Sequence, residues 1–296
     1  MPTLKKALTY EQQVTRLTEH NLIITDRESA IAILKKVNYY RLSAYGIGLA
    51  KSGDKEQYID GITIESIYRL YCFDSLLRNL LVHVIEQLEV QLRTQVSNYL
   101  GIKYGPEGYM DAANFTRKFT KDGIGIHTLT IDKFKQECNH QRNIPFVKHH
   151  ISNYGGHFPI WVAIELFTFG NLASLFDIMM PDDKKAIANL YNTNPNYLNS
   201  WILALVEVRN ICAHYGRLYN LPLKQAPFLY KENKKYRTAP INKLFPAIIT
   251  IRRMLQSDDR WREFATELEA LMDEYSDVVR LSFIGFPPEW KTILLK

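Results

Sequence analysis

The feature that most restricts the possible folds of this chain is a long apolar pattern between residues 63 and 100. Apolar side chains recur there every three or four positions, as on one face of an α-helix. They are Ile64, Ile67, Leu70, Leu77, Leu81, Val84, Leu88, Leu92 and Val96. A single helix of this length would span roughly 55 Å, which leaves room for a bend or a break. The pattern predicts helical structure across residues 63–100, either as one helix or with a bend or break in it.

The remaining segments also favour helices, so we predict an all-α fold. No segment shows the alternation of apolar and polar residues that is typical of a strand. Thr25 and Glu28 have the spacing of a capping box, which predicts Thr25 as a helix N-cap. Gly, Pro and Asn are scattered near 101–126, where we expect an irregular insertion. We therefore predict an N-terminal helical region at 1–60 and a helical domain at 61–296.

Composition narrows the function classes only slightly. With 46% hydrophobic and 23% charged residues, the chain has the make-up of a well-cored globular protein. Its 37 Lys and Arg against 31 Asp and Glu give a net charge of +6. A basic balance of this size is compatible with a nucleic-acid partner, but many proteins without such a partner share it.

The cysteines and the apolar stretches exclude several further classes. The three cysteines are odd in number and far apart, which argues against a disulfide framework and against a zinc site. They are Cys72, Cys138 and Cys212. The N-terminus lacks the apolar core of a signal peptide, and the apolar stretches are too short to span a bilayer. We expect a soluble, cytoplasmic protein with no membrane contact, no metal and no other cofactor.

A polar stripe interrupts an otherwise apolar segment, WILALVEVRNICAHYGRLYN, at residues 201–220. If this whole segment is helical, four polar residues fall within an arc of roughly 80°. They are Glu207, Asn210, His214 and Arg217. The stripe therefore predicts a titratable histidine at the centre of a polar face.

The residue types in this segment suit the cleavage of RNA without a metal. Histidine is the side chain whose ordinary pKa lies nearest neutrality, which suits proton transfer. Arg209 offers a planar fork matched to phosphate oxygens, and Asn210 could orient the imidazole or donate to the phosphate. Arg209 and His214 would lie about 140° apart on an ideal helix, so the long arginine must reach, the helix must distort, or a second copy of the site must contribute. The alternative is an arginine and a histidine satisfied within a core network.

Several ordered patterns in the chain resemble the Abi-like family of abortive-infection proteins, of the AbiD/AbiF type, whose C-terminal part belongs to the HEPN superfamily. The resemblance runs from about Tyr10 to Asn220. Its pieces are Asn38-Tyr39-Tyr40-Arg41-Leu42-Ser43-Ala44-Tyr45, the series Asp74, Leu77-Arg78, Leu88-Glu89 and Arg93, then Trp161-Val162-Ala163-Ile164-Glu165-Leu166, Phe169-Gly170-Asn171-Leu172, Val208-Arg209-Asn210-Ile211-Cys212-Ala213-His214 and Arg217-Leu218-Tyr219-Asn220.

The resemblance implies a HEPN-like helical bundle, a homodimer and an Arg/His ribonuclease site at the dimer interface. It also implies a toxin-like role in phage defence through RNA cleavage, and it carries over Arg209, Asn210 and His214 as catalytic residues. Some HEPN proteins have R-x4-H-x-Y, in which the tyrosine is nucleotidylated. Here Gly216 holds that position, which argues against this mode of silencing.

Two further groups of residues are candidates for the site. Arg78 and His83 repeat the R-N-x-x-x-H pattern in the long helix, either as a second motif or by coincidence. A basic cluster with interleaved Tyr230 and Tyr236 could track an RNA backbone and stack on bases, or it could be a solvated loop. Its cations are Lys231, Lys234, Lys235 and Arg237.

The leading hypothesis is a metal-independent endoribonuclease in which Arg209, Asn210 and His214 are catalytic and Glu207 and Arg217 support them. The first alternative is a non-catalytic RNA-binding protein that holds a structured RNA, and the second is a purely structural interaction module. The sequence also leaves open a regulatory RNA or a neighbouring protein as a partner.

Overall fold

The structure, a computed structural model, describes Leu4 and residues 6–237 and 242–295. Helices dominate these residues, which confirms the all-α prediction. The α-helices are α1 (Tyr10–Glu19), α2 (Arg27–Lys36), α3 (Tyr39–Ser43), α4 (Ile64–Tyr104), α5 (Ile126–His140), α6 (Pro145–Asn153), α7 (Ile160–Ala163), α8 (Phe169–Ile178), α9 (Pro181–Leu190), α10 (Pro195–Ala213), α11 (Phe245–Met254), α12 (Asp258–Glu274), α13 (Leu281–Ile284) and α14 (Trp290–Leu294).

The long apolar pattern forms one helix, α4, of 41 residues without an interruption in its assignment. The apolar positions of its stripe are buried, as burial of an amphipathic face requires. Four charged residues lie in the same buried stripe: Asp74, Arg78, Glu89 and Arg93. The helix ends before Gly105, whose φ of +79° lies in the left-handed region that favours glycine.

The chain divides into two compact units, and neither is continuous in sequence. The first unit comprises 1–81, 211–222 and 262–296, and the second comprises 82–210 and 223–261. The division expected from the sequence, an N-terminal region at 1–60 and a domain at 61–296, stays a prediction. Three helices, α4, α10 and α12, contribute residues to both units.

The first unit contains a small hairpin that the sequence analysis did not predict. Strands β1 (Ala50–Lys51) and β2 (Asp54–Tyr58) pair antiparallel. Gly53, with a φ of +90°, lies in the turn between them. Because β2 is short and most of its residues are exposed and polar, it has no apolar alternation to recognise.

The helix caps of the first unit differ from the prediction at one position. Asp26, and not Thr25, is the N-cap of α2, because the Asp26 side chain accepts from the backbone N–H groups of Glu28 and Ser29. A capping box does occur at α1, where Thr9 and Gln12 bond each other's backbone N–H groups.

In the second unit, the apolar segment at residues 161–180 does not form one continuous helix. Helix α7 ends at Ala163, a 3₁₀ turn covers Ile164–Leu166, and α8 starts after Thr168. The Thr168 hydroxyl accepts from the backbone N–H of Asn171 and so caps α8. Before this segment, the described chain has no α-helix between Tyr104 and Ile126, although α4 continues past residue 101, where the irregular insertion was expected to begin.

Within the described part of the chain, none of the helices combines the length and the apolar character that a bilayer crossing demands.

The α2 cap generates a test of the corrected boundary. Replacing Asp26 with Ala removes the acceptor for two backbone N–H groups, so we expect the free energy of unfolding to fall by about 1 kcal/mol. Thr25→Ala, at the exposed neighbouring position, is the matched control and should leave it nearly unchanged. Urea denaturation followed by circular dichroism measures both, and a larger loss in Thr25→Ala would restore the capping box predicted from the sequence.

Candidate functional site

Arg209 lies on α10 in the second unit, and a buried acid holds its guanidinium. Its Nε lies 3.2 Å from Oε2 of Glu89 on α4, and its Nη2 donates to Oε1 at 3.5 Å. The side chain of Arg209 is 31% exposed, whereas that of Glu89 is only 8% exposed. The carboxylate of this ion pair is therefore buried, whereas its guanidinium is accessible to solvent.

Glu89 is shared with a second arginine. Arg93 Nη2 donates to the same Oε1, and Arg93 Nη1 donates to the carbonyl of Ile164. One carboxylate thus lies between two guanidiniums, so the cluster carries a net positive charge. Burial of an acid is unfavourable unless it is paired and hydrogen-bonded, and here both conditions are met.

Asn210 and Glu207, also in the second unit, accept hydrogen bonds from neighbouring groups. Asn210 Oδ1 accepts from Nη1 of Arg209 at 3.2 Å. The Glu207 carboxylate accepts from the backbone N–H groups of Lys224 and Gln225 at 2.8 and 2.6 Å. Asn210 therefore helps to orient Arg209, and Glu207 fixes the chain that follows Pro222.

His214 belongs to the first unit and lies one residue beyond the end of α10. Two backbone bonds close this end: Tyr215 N–H donates to the Cys212 carbonyl at 3.1 Å, and Gly216 N–H donates to the Ile211 carbonyl at 2.7 Å. These bonds form a Schellman motif with His214 at the C-cap. The His214 side chain is exposed, and no described residue hydrogen-bonds to its imidazole.

The end of α10 contains an unusual backbone conformation at Tyr215. Its φ is +56°, in the left-handed region, and the ring is 71% exposed. The other non-glycine residues with positive φ in the described chain are all asparagines: Asn21, Asn192 and Asn220. Because a side chain with a Cβ is disfavoured there, Tyr215 stores strain on the order of 1 kcal/mol.

A second buried acid anchors the chain that follows His214. Asp74 on α4 accepts from the backbone N–H groups of Leu218 and Tyr219 at 3.0 and 2.7 Å, and from the Tyr45 hydroxyl at 2.7 Å. Burial raises the pKa of the Asp74 carboxyl, while these donors and the charge of Arg78 oppose the rise. Four donors on one buried carboxyl fix the path of residues 216–219.

Arg78 completes this network. Its Nη1 donates to Asp74 and, at 3.2 Å, to the carbonyl of Gly216. Arg78 is buried, whereas His83, which belongs to the second unit, is exposed. The contacts give Arg78 a structural role, and a catalytic role for the Arg78 and His83 copy stays a prediction.

The helical stripe predicted for residues 207–217 is wrong in one respect. Because α10 ends at Ala213, Arg217 is not on the helix, and its Nη1 donates to the Tyr219 carbonyl at 2.9 Å. Burial lowers the pKa of Arg217 and raises that of the neighbouring Cys212 thiol to about 12. Cys212 is therefore a buried thiol and not a nucleophile at neutral pH.

The predicted basic cluster lies at a 3₁₀ segment, Lys231–Tyr236, of the second unit. Its cations are exposed, as RNA contact would require: Lys231, Lys234, Lys235 and Arg237. The interleaved tyrosines are half-buried and contact other rings, and base stacking by them stays a prediction. Tyr230 stacks on Tyr197 at 4.6 Å between ring centroids, and Tyr236 packs edge-on against Phe245.

Three residues of the family resemblance hold the motif in place, a role that the sequence did not predict for them. Glu89 and Asp74 anchor Arg209 and the chain after His214, and Arg41 Nη1 donates to the Tyr215 carbonyl at 2.6 Å. Charged residues within the apolar stripe of α4 were a usable signal for the two acids, since buried charges need partners. Nothing in the sequence pairs Arg41 with a residue 174 positions away.

The buried acid of the first unit can be tested by comparison with a surface acid. Asp74→Ala leaves Arg78 and two backbone N–H groups without their acceptor, so we expect a loss of about 3 kcal/mol in the free energy of unfolding. Asp277→Ala, which breaks an exposed ion pair with Arg69 in the same unit, is the control and should cost far less. Equal losses in urea denaturation would contradict the anchoring role of Asp74.

A comparison with known protein families matches the larger part of the chain. The model of the family described as Abi-like protein matches residues 32–220, which is more than half of the chain and runs from the middle of α2 through α10. No curated protein and no solved structure matches the chain. The matched region contains Asp74, Glu89, Arg209 and His214. On this evidence, the chain belongs to the family of Abi-like proteins.

Proposed function

We propose that this protein is a metal-independent endoribonuclease of an abortive-infection system, with Arg209, Asn210 and His214 as its catalytic residues. One observation carries the proposal: Arg209 and His214 are accessible, while the acids that hold Arg209 and the chain after His214 are buried. A satisfied core network would have buried the arginine and the histidine as well. The Abi-like family connects the chain with abortive infection, a form of phage defence.

The reaction is a transesterification that expels the downstream (3′) fragment of the RNA. The 2′-oxygen of the RNA attacks the adjacent phosphorus, the bond to the 5′-oxygen breaks, and a 2′,3′-cyclic phosphate and a 5′-hydroxyl result. A proton leaves the 2′-hydroxyl and another reaches the 5′-oxygen. His214 would exchange these protons as a general acid or base, which is the usual role of histidine at neutral pH.

Arg209 would bind the phosphate and stabilise its charge in the transition state. Its contact with Glu89 supports this role, because a guanidinium that is already held loses little freedom when it binds. The second guanidinium on Glu89, that of Arg93, keeps the cluster positive despite the acid. Asn210 orients Arg209 through its Oδ1.

We further propose that the protein acts as a homodimer of HEPN type. A single imidazole cannot accept one proton and donate another at the same moment, whereas two copies of His214 could divide these tasks. The exposed position of His214 is compatible with such a pairing. A regulatory RNA or a neighbouring protein would restrain the nuclease until infection.

The nuclease activity has a direct test. Purified protein is incubated with RNA in EDTA, and we expect cleavage to continue and to produce 2′,3′-cyclic phosphate ends. His214→Ala and Arg209→Ala should each lower kcat/KM by about 100-fold or more, since each removes a group that acts in the transition state. His140→Ala, at an exposed histidine outside both copies of the motif, is the matched control and should retain activity.

The outcomes also separate the alternative functions. Cleavage abolished by EDTA, or unchanged in His214→Ala, would defeat the proposal. RNA that is bound with a strong salt dependence but stays intact would support the non-catalytic RNA-binding protein instead. Neither binding nor cleavage would leave only a structural interaction module.

The dimer proposal predicts that an inactive chain impairs an active one. After subunit exchange with a threefold excess of His214→Ala, only about a quarter of the wild-type chains would still pair with each other. Activity per wild-type chain should fall accordingly, because a mixed dimer lacks one histidine. An excess of His140→Ala is the control, and a simple dilution of activity by His214→Ala would argue for a site complete within one chain.

A further inference from the structure

We propose that Arg41 and Tyr215 bind the RNA beside His214, Arg41 through a phosphate and Tyr215 through an unpaired base. The inference rests on the proposed function and names its substrate class, which is single-stranded RNA. All three residues belong to the first unit.

Arg41 is held next to His214 by a hydrogen bond that uses only part of its guanidinium. The side chain extends from α3 and is exposed, and its Nη1 donates to the carbonyl of Tyr215, the residue that follows His214. No acidic side chain among the described residues pairs with Arg41. A guanidinium has five N–H donors, so one bond to a carbonyl leaves donors and a full charge for a phosphate.

Tyr215 occupies a position that a smaller residue would fill with less strain. It is the residue of the Schellman motif that has a left-handed φ, where glycine is usual. Its ring is 71% exposed, so burial in the core does not account for the tyrosine. Strained residues that are held by their surroundings cluster at functional sites, and here Arg41 and Arg78 hold the carbonyls of Tyr215 and Gly216.

The two side chains together fit the chemistry of single-stranded RNA. An exposed aromatic ring next to a guanidinium can stack on an unpaired base while the cation contacts the backbone. A base within a duplex is already stacked on both faces and cannot use such a ring. Arg41 and Tyr215 would therefore select an unpaired stretch of RNA and direct its backbone toward His214.

The test measures RNA affinity with cleavage switched off. Fluorescence anisotropy of an oligouridine probe is followed over a salt series, with every variant built on His214→Ala. Arg41→Gln can still donate to a carbonyl but has no charge, so we expect Kd to rise severalfold and the slope of log K against log salt to fall by about 0.7. Arg27→Gln removes the same charge from an exposed position on α2 and should change neither quantity.

Tyr215 is tested by a variant that should favour the fold. Tyr215→Gly relieves the left-handed strain, so Tm should stay equal or rise, whereas the affinity for oligouridine should fall by about tenfold because the stacking ring is lost. Tyr215→Trp retains a stacking surface and should retain the affinity. A duplex RNA probe should bind equally to Tyr215→Gly and to its parent.

The outcomes distinguish this inference from the proposed function. If wild-type protein cleaves RNA but Arg41→Gln behaves like Arg27→Gln and Tyr215→Gly binds normally, only the inference is overturned. If both variants lose affinity while wild-type protein leaves RNA intact, the binding surface is supported and the nuclease is rejected. If the His214→Ala parent and wild-type protein both fail to bind, the inference is overturned together with the nuclease.

Discussion

The pairing of buried charge on α4 is the constraint on which the rest of the structure depends. A carboxylate removed from water is costly unless a cation and hydrogen-bond donors surround it. Asp74 and Glu89 meet this condition with Arg78 and Arg93, each four positions along the same helix. Each acid also reaches a further group in its own unit, so a requirement of the core becomes a means of holding the candidate site.

The two acids hold their targets in different ways. Asp74 accepts from backbone N–H groups, so it fixes the path of the chain after His214 whatever side chains that chain carries. Glu89 instead holds the Arg209 side chain. Because Arg93 contacts the same carboxylate, two positive charges face one negative charge, and the cluster stays positive. Buried acids that hold accessible side chains are expected at a functional site, because the acids supply rigidity and the accessible groups stay free to bind.

Part of this arrangement could be predicted from the sequence. The period of the apolar residues in α4 is a local signal, and this helix lies where the signal indicates. The end of α10 was missed because Tyr215, and not glycine, adopts the left-handed conformation that terminates it. The cap at Asp26 was misplaced by one residue, since Thr25 and Asp26 are both good N-caps and only hydrogen-bond geometry separates them. The ring contacts of Tyr230 and Tyr236 could not be predicted, because a tyrosine in a basic segment looks the same in the sequence whether or not it contacts another ring.

The sequence by itself determined the helical character of this chain and its membership of the Abi-like family, because periodicity and motif order are written along the chain. Only the tertiary structure decided that Glu89 holds Arg209, that Asp74 anchors residues 218 and 219, and that Arg41 reaches the carbonyl of Tyr215. Such contacts join residues as many as 174 positions apart, and they depend on how helices pack, which no local pattern of residues encodes.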